Sequence, residues 1–164
     1  MLIGVLADTH DNLPMIERAT VVLRERGAEL LVHAGDFVSP FALKLLLKAG
    51  LPLVGVFGNV DGEREGLRKL DADILDGPHR FELAGRQVVV AHKGEALEGA
   101  VSSEDDLAIC GHTHLAQISQ GPPLTVNPGE ACGWVHGLAT VAIVNLEDMN
   151  AEIVNLGKQE GPEI

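Results

Sequence analysis

Leu2-Ile3-Gly4-Val5-Leu6-Ala7-Asp8-Thr9-His10 stands at the very start of the chain. The apolar run Leu2 to Ala7, rich in Val, Ile and Leu, reads as a strand buried on both faces. Asp11, Asn12 and Pro14 then supply turn and helix-start chemistry. Asp8 and His10, a carboxylate and an imidazole two residues apart where the strand gives out, can both turn toward one point. A hard oxygen with a borderline nitrogen suits Mn, Fe, Zn or Ni better than Ca or Mg. Asp-x-His alone arises often by chance, so its meaning depends on whether other strand ends supply further donors.

Working outward, Ile16, Ala19, Val22 and Leu23 fall on one helical face that ends near Gly27. Leu30 to His33 reads as a second buried strand, followed by Ala34-Gly35-Asp36. Pro40 opens a helix to about Ala49, and Leu53 to Phe57 is a third strand followed by Gly58-Asn59-Val60-Asp61-Gly62. Three strand–helix alternations argue a parallel βαβ arrangement. From about Asp76 the rhythm changes. Phe81-Glu82-Leu83 and Val88 to Ala91, joined through Ala84-Gly85, read as a hairpin leading into His92. A short helix over Leu97 to Val101 and a solvated acidic connector, Ser102 to Asp106, precede the strand Leu107 to Cys110 and the block Gly111-His112-Thr113-His114. Ala116 to Gln120, Leu124 to Asn127, Gly137 to Asn145 and Ala151 to Leu156 read as β, and residues 159–164 are expected to fray. The expectation is one domain over 1–164: two strand-rich halves, each a sheet, with helices outside. Loops at the carboxyl ends of parallel strands in such folds converge on one crevice.

Composition bounds the partners. A chain of 164 residues buries ~70% of its extended surface. A net charge of −12 would repel a phosphate backbone unless a local cation reversed the field, and with no Tyr and one Trp the chain lacks stacking platforms for single strands. No stable nucleic-acid binding is expected. Cys110 and Cys132 form no zinc-type pair or disulfide framework. No apolar run approaches membrane-spanning length, since Lys44 and Lys48 interrupt the best candidate, and Asp8 comes too early for a signal peptide. The expected location is the cytoplasm, away from membranes, and a homo-oligomer is compatible with the sequence.

Three candidate ligands follow a glycine at a strand end: Gly35-Asp36, Gly58-Asn59 and Gly111-His112. Glycine permits positive φ or close backbone approach, which helps a side chain aim into a crowded centre. With Asp8, His10, His92 and His114 they make a set of O and N donors too large for one tetrahedral ion and suited to two ions sharing a carboxylate. The ordered set Asp8-x-His10, Gly35-Asp36, Gly58-Asn59, His92 and Gly111-His112-Thr113-His114, with Asn127-Pro128-Gly129-Glu130 further on, resembles the calcineurin-like metallophosphoesterases. More narrowly it is similar to their small, single-domain YfcE-type phosphodiesterase branch.

The resemblance implies an α/β fold, a four-layer α/β/β/α sandwich of two mixed sheets flanked by helices. It implies two divalent transition-metal ions, Mn foremost with Fe, Ni or Zn as alternatives. Asp8, His10 and His114 would hold the first ion, Asn59, His92 and His112 the second, and Asp36 would bridge them. Asp36, Asn59 and His92 would then carry catalysis, with a bridging hydroxide attacking the phosphorus of a small phosphate ester. Two carboxylates and a hydroxide against two divalent ions leave about +1, an anion trap in an acidic protein.

Two positions depart from the family pattern. Val60 stands where many members carry a histidine able to protonate the leaving oxygen, and His92-Lys93-Gly94 replaces a His-Gly-His block. Substrates whose leaving group needs little proton help are therefore expected. Lys93 and Arg64 are candidate substrate-binding residues, Lys93 with solvent as its alternative and Arg64, like Asp61, with a cap on the helix after Gly62. His33 reads as a structural histidine, Cys110 as an apolar filler and Cys132 as a loop thiol, while Trp134 and Phe41 fit either core or interface. Two alternatives stand beside a phosphodiesterase: a phosphomonoesterase using the same site, and a non-catalytic metal-binding scaffold of the Vps29 type, a protein that resembles this family.

Overall fold

A computed structural model describes residues 1–70 and 73–158; the expectation of a frayed end over 159–164 falls outside the described residues. The first sheet has the order β11-β10-β1-β2-β3-β4. β1 (Leu2–Leu6), β2 (Leu30–His33), β3 (Leu53–Val56) and β4 (Asp73–Leu75) run parallel. β10 (Ala139–Asn145) and β11 (Asn150–Gly157) are added antiparallel on the far side of β1. The second sheet has the order β5-β6-β7-β9-β8. Within it β6 (Arg86–Val90), β7 (Leu107–Ile109) and β9 (Leu124–Pro128) are parallel, flanked antiparallel by β5 (His79–Leu83) and β8 (Ala116–Ser119).

Side-chain alternation in the strands builds the layers. Ile3 and Val5 of β1 and Val32 of β2 point at Val88, Val90, Leu107 and Ile109 of the second sheet, forming the core between sheets. Leu6 and Leu31 point the other way, against Ile16, Ala19 and Leu23 of α1 (Leu13–Glu25) and Leu43 and Leu46 of α2 (Pro40–Leu47). Leu67 of the short α3 (Arg64–Arg68) joins that layer. Val89, Ala91 and Ala108 face outward and are covered by Leu97 of α4 (Gly94–Ala100). The result is the four-layer α/β/β/α sandwich. At one end Arg86 donates to the carbonyls of Leu146 and Glu147 at 3.0 Å each and to Asp106 at 3.2 Å, tying β6 to the turn between β10 and β11. The opposite end, where β1, β2, β3, β6 and β7 finish, carries the clustered loops. No described helix is long and apolar enough to cross a membrane.

Three local readings change. β4 has no signal in the sequence: three residues are too few to show a period, and among the described residues the strand pairs with β3. α4 begins at Gly94 rather than near Leu97, with no side-chain hydrogen bond at its Lys93 N-cap to mark the start. The connector Ser102 to Asp106 is not simply solvated. Asp105 is buried, accepts from Ser102 N at 2.7 Å and takes two bonds from Arg80 of β5 at 2.7 and 2.9 Å. That partner is remote in sequence, which is why the run of charges reads as a surface loop.

Candidate metal centre

Asp8 and Asp36, both buried at the loop end, each divide their two oxygens between holding a loop and facing the cluster. Asp8 Oδ2 accepts from His112 N at 3.0 Å, while Oδ1 faces His114 Nε2 at 3.6 Å and His10 Nε2 at 3.8 Å. Asp36 Oδ1 accepts from Val60 N at 3.0 Å, and Oδ2 faces His92 Nε2 at 3.2 Å and His10 Nε2 at 3.7 Å. Asp8, His10 and His114 form one group of potential ligands and Asp8, Asp36 and His92 another. Asn59 joins through Oδ1, 3.0 Å from His92 Nε2. His112 is exposed and meets the cluster edge-on, its ring 5.1 Å from that of His92. The sequence-predicted set thus comes to one place, with Asn59 and His112 at its open side.

The backbone bends sharply to achieve this. Asp8, His10, Asp36, His112 and His114 have φ of 53°, 43°, 63°, 69° and 63°, left-handed values that cost non-glycine residues about 1–3 kcal/mol each. Interlocked loops hold them: Asp8 N donates to Gly35 O at 3.0 Å, and Thr9 N and His10 N both donate to Asp36 O at 3.1 Å. Gly58 is needed for close approach, since a Cβ there would overlap the Asp36 carboxylate.

The imidazoles are aimed by their second nitrogens. His92 Nδ1 sits 2.8 Å from the carbonyl of Ala34, and His114 Nδ1 sits 2.9 Å from Glu130 Oε2. Both contacts place a proton on Nδ1 and turn Nε2 inward, toward the cluster. Burial lowers the basicity of His10, and partial desolvation beside His92 and Lys93 lowers that of His112, which favours the neutral, ligating form. Burial also raises Asp8 to about 6. For Asp36 burial acts in the same direction, but its hydrogen bond and charge contact with His92 outweigh it and keep the carboxyl ionised.

The donor set fits divalent cations. Among the described residues Asp8 Oδ1 and His10 Nε2 are buried without a hydrogen-bond partner, and His92 Nε2 points inward, 3.2 Å from Asp36 Oδ2 and 3.0 Å from Asn59 Oδ1. Such an arrangement of acceptors is costly unless a positive charge lies among them.

The calcineurin-like phosphoesterase superfamily domain matches residues 1–149. A phosphodiesterase of Methanocaldococcus jannaschii is 34% identical over 156 residues, spanning 90% of this chain and 94% of that protein. The chain belongs to the calcineurin-like phosphoesterase superfamily. Its fold superposes on a structurally and functionally characterised archaeal phosphodiesterase with a TM-score of 0.86 and 32% identity, over 94% of this chain and 99% of the other. YfcE, a phosphoesterase from E. coli, shares the fold with a TM-score of 0.71 at 22% identity, over 96% of this chain and all (100%) of that one. Vps29 of Chaetomium thermophilum shares the fold with a TM-score of 0.69 at 14% identity, over 94% and 95% of the two chains. The protein is accordingly a metal-dependent phosphoesterase.

Around the metallophosphoesterase cluster lie residues that sequence reasoning missed. Asp61 does not cap α3, whose N-cap is Glu63. Its buried carboxylate accepts from Gly58 N and Val38 N at 2.7 Å and from Asp36 N at 3.0 Å, knitting the second and third loops together. Asn127 donates to Gly111 O and Thr113 Oγ1, both at 3.0 Å, and so shapes the loop of His112 and His114. Glu130, fully buried, takes the bond from His114 and further bonds from Val135 N and His136 N. The only available signal for Asn127 and Glu130 was the block Asn127-Pro128-Gly129-Glu130 itself. His33 is buried, stacks on Phe37 at 3.7 Å, and burial lowers it to about 3, in keeping with a structural role. Cys132 is a buried thiol, not an accessible one: burial pushes it up to about 12, and it donates to Glu130.

Lys93 and Arg64 both line a cavity of about 220 Å³ together with Phe57, Asn59 and His92. Arg64 is already committed, donating to Gly58 O and Asp61 O at 3.1 Å and to Asp76 at 3.0 Å. Lys93 is exposed beside the same opening.

Proposed function

We propose that this metallophosphoesterase is a phosphodiesterase that hydrolyses a small phosphodiester at a two-cation centre. Asp8, His10 and His114 would hold one cation, Asn59, His92 and His112 the other, and Asp36 would serve both. Manganese is the favoured ion, the mixed carboxylate, amide and imidazole donors also suiting Fe, Ni or Zn. The observation that carries this reading is the buried, unpartnered pair Asp8 Oδ1 and His10 Nε2, 3.8 Å apart in the middle of the donor set. Bound there, divalent cations supply Lewis-acid charge and activate water at neutral pH.

The chain's own residues do the remainder. Glu130 and the Ala34 carbonyl keep His114 and His92 in the tautomer that presents Nε2. Asp61 holds the Asp36 backbone N–H and the Val60 amide holds its carboxylate, so the site need not reorganise as charge develops on phosphorus. Lys93 and Arg64, on the Asn59 side, would meet a negatively charged or polar ester group in the adjoining cavity. Val60 is exposed where a proton donor would stand, which favours esters with acidic leaving groups. Against a scaffold role stands the donor set itself, with Asp8, His10, Asp36, His92 and His114 grouped closely enough to hold cations.

The test is turnover of aryl phosphodiesters and monoesters by manganese-loaded protein. The expected result is metal-dependent hydrolysis with the diester faster, and an Asp36→Asn variant slower by roughly 100-fold or more. Faster monoester turnover would reassign the substrate class, and no metal-dependent turnover of either ester would refute the proposal.

A further inference from the structure

The loop after Glu130 carries a side chain that neither the fold nor the metal cluster uses. Trp134 is 59% exposed, although it is the chain's only tryptophan and two of the four phenylalanines, Phe37 and Phe57, are fully or nearly fully buried. Its ring lies 6.4 Å from that of His10, inclined by 30°. Val135 beside it is 63% exposed, and Leu115, which follows His114 directly, is 56% exposed. Together they give the His10 side of the site an apolar rim, whereas Lys93 and Arg64 make the Asn59 side cationic.

The loop is held firmly. Glu130, the carboxylate that orients His114, also accepts from Val135 N at 2.9 Å and His136 N at 2.6 Å. The backbone that carries the indole is therefore held at a fixed place relative to the cluster. Scattered apolar residues on a surface need no explanation, but an exposed indole on a tethered loop at the lip of a reaction centre does. A phosphodiester carries two organic groups on one phosphorus, and at least one of them must leave the cluster across its rim. A flat aromatic group leaving on the His10 side would meet the open face of the indole, where stacking tolerates any base or aryl ring.

We infer that Trp134 is a specificity-determining residue, a platform on which a planar group of the substrate, a nucleobase or an aryl ring, stacks while its phosphate sits at the cations. This rests on the phosphoesterase reading and narrows the substrate class to nucleoside-like or aryl esters. Because Trp134 is the only tryptophan, intrinsic fluorescence reports on it directly, without turnover.

The experiment compares adenosine 5′-monophosphate with ribose 5-phosphate, which offers the same phosphate without the base, on manganese-loaded protein. The nucleotide should change the fluorescence saturably and bind on the order of 10-fold more tightly by calorimetry. Trp134→Leu should remove that advantage while leaving ribose 5-phosphate binding unchanged, and Trp134→Phe should keep most of it. With a nucleoside aryl diester, the Leu variant should show a raised KM and little change in kcat. Equal affinity for the two ligands overturns this inference alone. Manganese-independent binding, or no binding of either, overturns this inference, whereas the two-cation reading falls only if manganese-dependent ester turnover is absent. A dimer in light scattering whose tryptophan is shielded from acrylamide would assign the rim to contact between copies and overturn the stacking role.

Discussion

Glu130 spends one carboxylate on two tasks, aiming His114 and shaping the loop that bears Trp134. Its own acidity reflects the balance: burial alone would raise it, but the bonds from His114, Val135, His136 and Cys132 hold it below the usual carboxylate range. Glu130→Gln keeps the shape and removes the charge. It should weaken metal binding about 10- to 100-fold, read by manganese titration, with the fold retained by circular dichroism. Unchanged affinity with lowered melting would make Glu130 a structural residue only. At this scale the sequence was legible for residue types and order: the donors follow strand ends, and the structure gathers them. It was not legible for how each is aimed. Left-handed φ at Asp8, His10, Asp36, His112 and His114 leaves no mark in composition, because bonds between distant loops enforce it. The importance of Asp61 was hidden for the same reason, since its partners, Asp36 N, Val38 N and Gly58 N, include two from another loop.

Among the elements, the edge strand β5 is fastened by Arg80, which grips Asp105 and also donates to Ala100 O at 2.8 Å, at the end of α4. The Arg80 hydrogen bond is the main cause that lowers Asp105 to about 2, from an ordinary 3.8. A carboxyl depressed in the folded state contributes stability that is fully present above its unfolded value. That contribution is lost as pH falls from about 4 toward about 2. Asp105→Asn should therefore melt below the wild type at pH 7, and the gap should narrow steadily across that acid window. A gap that stays constant from pH 7 down to 2 would detach Asp105 from the charge pairing. The longer elements were readable because their signals are local: Asn12 and Pro14 at the start of α1, Pro40 at the start of α2, and the unbroken apolar run of β1. β4, the start of α4 and the burial of Asp105 were not, because pairing with β3, packing on β6 and a partner in β5 decide them.

Across the whole molecule, the two sheets are joined by an apolar core, by Arg86 at one end and by the donor cluster at the other. The cluster draws on both sheets: Asp8, His10, Asp36 and Asn59 follow strands of the first, His92, His112 and His114 strands of the second. Without a cation this end of the molecule brings two carboxylates and several imidazole lone pairs together in a dry setting, an arrangement that burial opposes. A cation that binds the folded chain and not the unfolded one adds RT ln(1 + [L]/Kd), about 2.7 kcal/mol at a hundredfold excess over Kd. For a chain of this length each kcal/mol moves the melting temperature by about 2–4 °C, so chelation should lower it by roughly 5–10 °C relative to the manganese-loaded protein. Because the ligands come from both sheets, the loss should appear as a shift of one cooperative transition. A separate early transition would mean that the cations stabilise only the loops. Asp36→Asn should respond less than the wild type to added manganese. No difference between loaded and chelated protein would show that the clustered side chains bear no cation that matters to the folded state.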